Sequence, residues 1–252
     1  MRQVIKGFYL FVSSFFLMHL PFAFAKNPVE SNKAEFVSAS VAGISSLVLI
    51  ANAAVAYDSL QLQEAGLNKQ AFDYAVAGWE KLLNQGKLSN PSVLAIADFS
   101  RSSNQKRLYV LDLQNCKLLF HTLVAHGRNS GKEFANYFSN KVSSNKSSPG
   151  FYITANTYHG GNGYSLKLAG LEKGINDKAM QRAIVMHGAD YVNEAYIPKL
   201  GYIGRSQGCP AVPLKEAKPI INTLKGGSCL YIYTNDQRYI SRSSMLGDIS
   251  QS

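Results

Sequence analysis

A histidine and a cysteine 22 residues apart are the strongest candidates for chemistry in this sequence. His187 ends the apolar run "AIVM" and is followed at once by Gly188. Cys209 lies in "RSQGCPAVP", between a glycine and a proline, which is typical of a turn. A residue at a strand end next to glycine is held by rigid backbone yet opens onto a loop, where catalytic groups tend to lie.

This pair predicts nucleophilic catalysis. A thiol is mostly protonated at neutral pH, and a neighbouring imidazole can take its proton to give the thiolate that attacks carbonyl groups. Gly208 allows close backbone approach, and main-chain N–H groups around Gly208 and Cys209 could face a developing oxyanion. A cysteine after glycine is weak evidence by itself, and the histidine–glycine strand end upstream strengthens it.

The stretch "MHGA…GRSQGCPAVP" resembles the catalytic signature of the YkuD-like L,D-transpeptidases, in which a histidine is followed by Ser/Thr-x-Gly-Cys. "KRLYVLDLQNCKLLFHTLVAHG" is similar to the family's early hairpin, and "SSPGFYIT" to its Thr-Pro-x-Gly-x-Phe motif. "GYSLKLAGLEKGINDKAMQRAIVMHGADYV" resembles the murein L,D-transpeptidase catalytic domain branch. The resemblance covers roughly residues 93–235.

Carried over, the resemblance implies that Cys209 is the nucleophile and His187 the general base. Ser206 and Gly208 would shape the turn and the oxyanion site. The candidates for substrate binding are Arg205, Gly188 and Gln207. The sequence departs from the family where many members have histidine and this chain has Gln207, and where Pro210 and Ala211 follow the cysteine.

The implied reaction is acyl transfer on peptidoglycan stem peptides, without a metal or a cofactor. A thioester on Cys209 would pass to an amine, giving a 3→3 cross-link or protein attachment, or to water, giving L,D-carboxypeptidase activity. The stem carries carboxylates, which Arg205, Lys199 or Arg182 could bind.

Other classes of function are considered beside this one. A zinc site using Cys209, His187 and His159 lacks the tightly spaced ligand pairs typical of structural zinc. A papain-type protease has its cysteine before its histidine in the chain. A non-catalytic peptidoglycan-binding module would use aromatic residues such as Tyr152, Tyr158 and Tyr164 to stack on sugars.

Short runs rich in β-branched and aromatic residues must position these groups. Seven of them predict strands: "VLAIADF", "RLYVLDL", "CKLLFHTLVAHG", "GFYITA", "YSLKLAG", "AIVMHG" and "CLYIYT". We therefore expect a mainly β fold, a β-sandwich or partly open barrel with a few helices and an N-terminal helical extension. The resemblance implies that this fold is L,D-transpeptidase-like. "VPLKEAKPIINTLKGG" predicts one late helix with an apolar face, Ala217, Ile220, Ile221 and Leu224, and Pro219 as an interior proline.

Four segments are expected along the chain: a signal peptide (1–25), a helical extension (26–90), the catalytic domain (91–235) and a loose polar tail (236–252). In the extension, "GLNKQAFDYAVAGWEKLLNQGKL" predicts a helix with Phe72, Val76, Trp79 and Leu83 on one face. The uncharged stretch Phe36–Tyr57 is long enough to span a bilayer, and either a partly buried helix or membrane association would account for it.

The first residues have the order of an export signal: Arg2 and Lys6, an apolar run, then Ala-Phe-Ala at 23–25. Export to the periplasm or cell envelope follows. The chain has 26 basic and 16 acidic residues, a net charge of +10, of which +8 remains after the signal. Such a charge suits anionic envelope polymers or lipid headgroups. The scattered basic residues, without a stripe or an RNA-binding signature, argue against nucleic acid.

Three cysteines leave one thiol unpaired in an oxidising compartment. Cys116 and Cys229 each open an apolar run and are expected on strands. A bridge between them and two separate buried thiols are both compatible with the sequence.

Overall fold

The computed structural model describes residues 45–247. Within them the helices are α1 (45–59), α2 (Lys69–Asn84), α3 (Ile197–Leu200), α4 (Leu214–Leu224) and α5 (Gln237–Ile240), with a 3-10 turn at Glu194–Tyr196. The strands are β1 (Val93–Asp98), β2 (Leu108–Asp112), β3 (Lys117–Thr122), β4 (Gly150–Gly160), β5 (Gly163–Gly170), β6 (Val185–Ala189), β7 (Ala211–Pro213) and β8 (Cys229–Tyr233).

All eight strands form one sheet in the order β3-β2-β1-β8-β4-β5-β6-β7. Most neighbours are antiparallel, but β8 runs parallel to β1 and β7 parallel to β6. The chain that follows β3 reaches β7, because Ala125 forms an antiparallel bridge with Ala211. The sheet is therefore nearly closed, which confirms the expected mainly β fold as a partly open barrel.

The centre of the sheet is buried on both faces. Every residue of β1 and β8 is buried, which explains why both strands are continuous apolar runs in the sequence. All seven expected strands are confirmed. The eighth, β7, was missed because "AVP" is only three residues long and ends in proline.

Helix α2 packs against this sheet. Asn68 caps it, because its Oδ1 accepts hydrogen bonds from the N–H groups of Gln70 (2.9 Å) and Ala71 (3.3 Å). Phe72 and Trp79 are buried, and Val76 and Leu83 pack against the same hydrophobic cluster, as predicted. That cluster joins α1 and α2 to β1, β2 and β8, so the helical segment and the sheet share one core.

Helix α4 covers the other side of the sheet next to β6. Its four predicted core residues are all buried. Pro219 lies inside the helix, where the carbonyl of Lys215 loses the N–H that would normally reach it. The apolar face holds the helix together across this gap.

We expected a loose polar tail at residues 236–252, but the described part of it, residues 236–247, packs onto the core. Helix α5 forms there, and Tyr239, Ile240, Met245 and Leu246 are buried. Ser243 also donates a hydrogen bond to the buried carboxylate of Glu172, and so does Tyr239, at 3.3 Å. The serine-rich composition led us to expect a polar tail, although four apolar side chains in it pack into the core.

The expected signal peptide lies outside the described residues, as does the first part of Phe36–Tyr57. Residues 45–57 belong to α1, in which Leu49, Ala53, Ala56 and Tyr57 are buried. Among residues 45–247, no helix has the length and apolar character needed to cross a membrane.

Candidate active site

The parallel pairing of β6 and β7 brings the two candidate catalytic residues into one pocket. His187 pairs with Ala211, so Cys209, two residues before Ala211, lies alongside Val185. His187 and Cys209 both line a pocket of about 530 Å³. They are 4% and 8% exposed, so each side chain is nearly enclosed by protein.

The turn before Cys209 is built by Ser206 and Gly208. The Ser206 hydroxyl accepts a hydrogen bond from the Gly208 N–H (3.0 Å) and donates one to the Cys209 carbonyl (2.6 Å). Gly208 has a φ of 125°, which favours glycine. The Gly208 N–H is therefore occupied. In the described part of the chain, nothing accepts a hydrogen bond from the Cys209 N–H.

The strand segment after β3 holds this turn from the other side. Ser206 donates its N–H to the His126 carbonyl (2.9 Å) and accepts from the Arg128 N–H (2.7 Å). Buried Arg107 donates to Nδ1 of His126 (2.7 Å). Burial and the Arg107 charge lower the pKa of His126 to about 3, so this histidine stays neutral and serves structure.

The Cys209 thiol lies among backbone groups that precede β6. Its Sγ donates a weak hydrogen bond to the Ala183 carbonyl, 3.8 Å away. Burial raises the pKa of Cys209, while a hydrogen bond from the Val185 backbone and the positive charge of Arg182 lower it. Burial is the larger effect, so the resting side chain is the neutral thiol. Ala183 has a φ of 53°, an unusual conformation for a residue with a side chain.

His187 is oriented by its own neighbour. Its Nδ1 lies 2.9 Å from the Gly188 carbonyl oxygen, which can only accept, so Nδ1 carries the proton and Nε2 has a free lone pair. Burial lowers the pKa of His187, and the bond to Gly188 partly offsets this. The imidazole is therefore neutral at pH 7 and able to accept a proton at Nε2.

Gly188, expected as a possible substrate-binding residue, lies against α4 rather than in the pocket. It does not line the pocket, and a Cβ at this position would come within 2.7 Å of the Ala217 Cβ on α4. Its carbonyl orients His187, and its missing side chain lets α4 approach the sheet.

The pocket is basic. Among the described residues that line it are Arg128, Arg182 and Arg205, and none is Asp or Glu. Arg205 donates from Nη1 to the carbonyls of Arg128 and Gly131, both at 3.0 Å, so it braces the loop after β3. Gln207 lines the pocket and is exposed, whereas Lys199 lies outside it on α3.

Sequence reasoning missed Arg128 and Tyr191 as pocket residues. Burial and the nearby Cys209 raise the pKa of Tyr191 to about 12, so its phenol is neutral. Tyr191 follows His187 by four residues, a spacing that could have drawn attention to it. Arg128 lies 81 residues before Cys209, and nothing local in the sequence connects the two.

The remaining candidates lie away from the pocket. His159 packs against Tyr164 near the tip of the β4–β5 hairpin. Cys116 lies in the β2–β3 turn with a φ of 49°, not on a strand as expected, and both it and Cys229 are free thiols. Among residues 45–247, no three His, Cys, Asp or Glu side chains cluster closely enough to hold a metal ion. Tyr152 is fully buried and cannot stack on a sugar.

Comparison with solved structures finds L,D-transpeptidases at low similarity. The enzyme from Mycobacterium smegmatis is 11% identical over 57% of this chain and 59% of that one, with a TM-score of 0.36. L,D-transpeptidase 3 from Mycobacterium tuberculosis is 12% identical, over 57% and 61%, with a TM-score of 0.35. The Stackebrandtia nassauensis enzyme is 15% identical, over 68% and 69%, with a TM-score of 0.35. This chain thus spans only about three fifths of either mycobacterial chain.

No curated protein matches the sequence significantly. The model of the L,D-transpeptidase catalytic domain, YkuD_2, matches residues 63–233. This range includes most of the described chain, from the turn after α1 to the end of β8, together with His187 and Cys209. The chain therefore belongs to the L,D-transpeptidase catalytic domain family.

Proposed function

We propose that this protein is a cell-wall L,D-transpeptidase in which Cys209 is the nucleophile and His187 the general base. The observation that carries the proposal is the shared pocket. A thiol and an imidazole with a free Nε2 line it together, inside the region that matches the family. Such a pair is suited to acyl transfer.

In the first step Cys209 Sγ attacks the carbonyl carbon of the L-centre residue in a tetrapeptide stem, and its proton passes to Nε2 of His187. A C–S bond forms and the carbonyl oxygen becomes an oxyanion. In this proposal the Cys209 N–H, which has no acceptor among the described residues, donates to it. Collapse breaks the C–N bond, the His187 proton goes to the leaving nitrogen, and D-alanine departs.

In the second step an amine attacks the thioester and gives its proton to His187. The C–S bond breaks, the new amide forms, and the proton returns to Sγ. Burial favours the neutral thiol and the neutral imidazole in the resting site, so His187 is proposed as the group that takes the thiol proton when the substrate reacts. If water replaces the amine, the same site is an L,D-carboxypeptidase.

The charge of the pocket supports this substrate class. A stem peptide with a free terminal carboxylate is anionic, and the pocket presents three arginines without an acidic residue among its described lining. Arg128 is exposed, and no described residue accepts a hydrogen bond from its side chain, so it is the arginine most available to a substrate carboxylate. Peptidoglycan lies in the envelope, so the proposal includes export by the signal in residues 1–25 and a periplasmic location.

The test uses the purified protein, wild type and Cys209→Ala, with a disaccharide-tetrapeptide and an added D-amino acid, and follows products by mass spectrometry. Exchange of the terminal residue that is lost in the variant is the expected result. Release of D-alanine without exchange would identify a carboxypeptidase instead. If no stem peptide is altered by the wild type, the transpeptidase proposal is wrong and a binding module takes its place.

A further inference from the structure

The guanidinium of Arg182 connects two parts of the active site that are distant in sequence. Nη1 donates to the Ser139 carbonyl (2.8 Å) and to the Ser148 hydroxyl. Nη2 donates to the Ser144 hydroxyl (3.3 Å) and to the Lys146 carbonyl. All four hydrogen bonds end on the segment 139–148, which has no regular secondary structure. Arg182 itself lies three residues before β6.

The segment that Arg182 holds packs directly on the nucleophile turn. The Ser147 hydroxyl donates to the Gly208 carbonyl (3.1 Å) and accepts from the Gly127 N–H (3.0 Å). A Cβ at Gly208 would lie 2.8 Å from the Lys146 oxygen and 3.2 Å from Nη2 of Arg182. Movement of this segment would therefore move the backbone that carries Cys209.

Among the residues that the structure describes, no carboxylate pairs with the charge of Arg182. Within residues 45–247 the ion pairs are Lys69–Asp73 and Arg238–Asp236, both on other parts of the surface. The four acceptors around Arg182 are neutral oxygens. Its positive charge is therefore not cancelled, and it faces the same pocket as Cys209. In a half-buried position such a charge acts more strongly on a nearby anion than it would in water.

We propose that Arg182 is a positioning residue of the site, which fastens segment 139–148 against the nucleophile turn and keeps a fixed positive charge beside the Cys209 sulfur. The inference rests on the proposed role of Cys209 as nucleophile. Arginine suits both tasks, because a planar fork can reach four acceptors while retaining its charge. Lysine would keep the charge but lose the fork.

The roles can be separated with Arg182→Lys, which keeps the charge, and Arg182→Gln, which removes it. The first measurement is the pH dependence of Cys209 alkylation by iodoacetamide, read peptide by peptide, which needs no substrate. The second is kcat and KM on the disaccharide-tetrapeptide. Lys178→Gln is the matched control, because it removes an exposed positive charge four residues away and outside the pocket.

We expect Arg182→Gln to move the alkylation profile to higher pH and to lower the rate at pH 7 by roughly threefold to tenfold, since less thiolate is present. Arg182→Lys should keep the profile close to wild type, yet lose roughly tenfold in kcat with KM little changed, because the turn is no longer held. Lys178→Gln should match wild type in both measurements.

An alkylation profile of Arg182→Gln that coincides with wild type would overturn the electrostatic part, and full kcat in Arg182→Lys would overturn the positioning part. If Arg182→Gln does not fold, the folded Arg182→Lys and the double variant Ser144→Ala/Ser148→Ala still decide the positioning part. That double variant removes two acceptors and should lower kcat without moving the profile. A wild type that alkylates normally but turns over no stem peptide would refute the proposed function, while the profiles would still decide the role of the Arg182 charge.

Discussion

Cys209 and Cys229 are both buried thiols, but they differ in the hydrogen bonds and charges that act on them. Cys229 begins β8 in the centre of the sheet and is fully buried, and burial is the sole cause that raises its pKa. Cys209 lies in a turn at the sheet edge, where the Val185 backbone and the Arg182 charge act against the effect of burial. His187 lines the pocket of Cys209, whereas among residues 45–247 no charged or hydrogen-bonding group shifts the pKa of Cys229.

The difference shows which surroundings favour the thiolate form of a buried cysteine. Burial alone favours the neutral, inert form, so Cys229 behaves as a small apolar residue. At Cys209 the Val185 backbone and the Arg182 charge favour the thiolate, and His187 lines the same pocket. The turn chemistry of Gly208 and Pro210 keeps the residue out of a regular strand and next to a pocket.

The strongest way to test this contrast is to remove each thiol. Cys209→Ala should reduce turnover of stem peptides by roughly 10⁴-fold or more, since no nucleophile remains. Cys229→Ala should keep turnover within about twofold and lower the free energy of unfolding by about 1–2 kcal/mol through a small cavity. Turnover by mass spectrometry and chemical denaturation would measure both. An active Cys209→Ala variant would show that Cys209 is not the nucleophile.

Removing the base should have the next largest effect. His187→Gln should lower kcat/KM by roughly 10²–10⁴-fold while leaving the alkylation of Cys229 in unfolded protein unchanged.

In the wild type, activity needs neutral His187, and its pKa is lowered by burial. Activity should therefore persist as pH falls through about 6.5, the ordinary pKa of histidine, and be lost only below it. Loss of activity already above that pH would contradict the assignment.

Reversing a charge in the pocket tests whether its basic character matters. Arg128→Glu should raise KM for the tetrapeptide stem roughly tenfold, because it repels the substrate carboxylate, with a smaller change in kcat. Lys117→Glu reverses an exposed charge on β3 and serves as the control. Equal effects of the two variants would attribute the result to net charge rather than to the pocket.

Thiol labelling compares the two cysteines within one molecule. In the folded protein at pH 8, iodoacetamide should modify Cys209 well before Cys229, which should react only on unfolding. Tryptic peptides would report each site. Simultaneous labelling of both would mean that the centre of the sheet opens as readily as the pocket.

The smallest expected loss of activity comes from changing Ser206 in the turn before Cys209. Ser206→Ala removes the hydroxyl that links the Gly208 N–H to the Cys209 carbonyl, and should cost about 1–2 kcal/mol of stability and roughly tenfold in kcat. Ser206→Thr retains the hydroxyl and is expected to recover part of both. Wild-type kcat in Ser206→Ala would show that the turn is held without this link.

The sequence by itself indicated the candidate catalytic pair and most of the elements. The order of His187 and Cys209, with glycine beside each, is a local pattern, and so are the seven strands and the apolar face of α4. Each depends on residues a few positions apart, whose periodicity and turn preferences are encoded along the chain.

The tertiary structure alone decided what surrounds the thiol. Arg128, Tyr191 and part of segment 139–148 line the pocket of Cys209, because β6 and β7 are parallel neighbours and the chain after β3 closes against β7. The sequence also did not predict the hydrogen bonds that Tyr239 and Ser243 donate to Glu172. Nor did it predict the short strand β7. These contacts join residues that are mostly tens of positions apart, so they depend on strand order, which no local pattern specifies. The family resemblance indicated which residues to examine, and the sheet determined which charges and donors act on them.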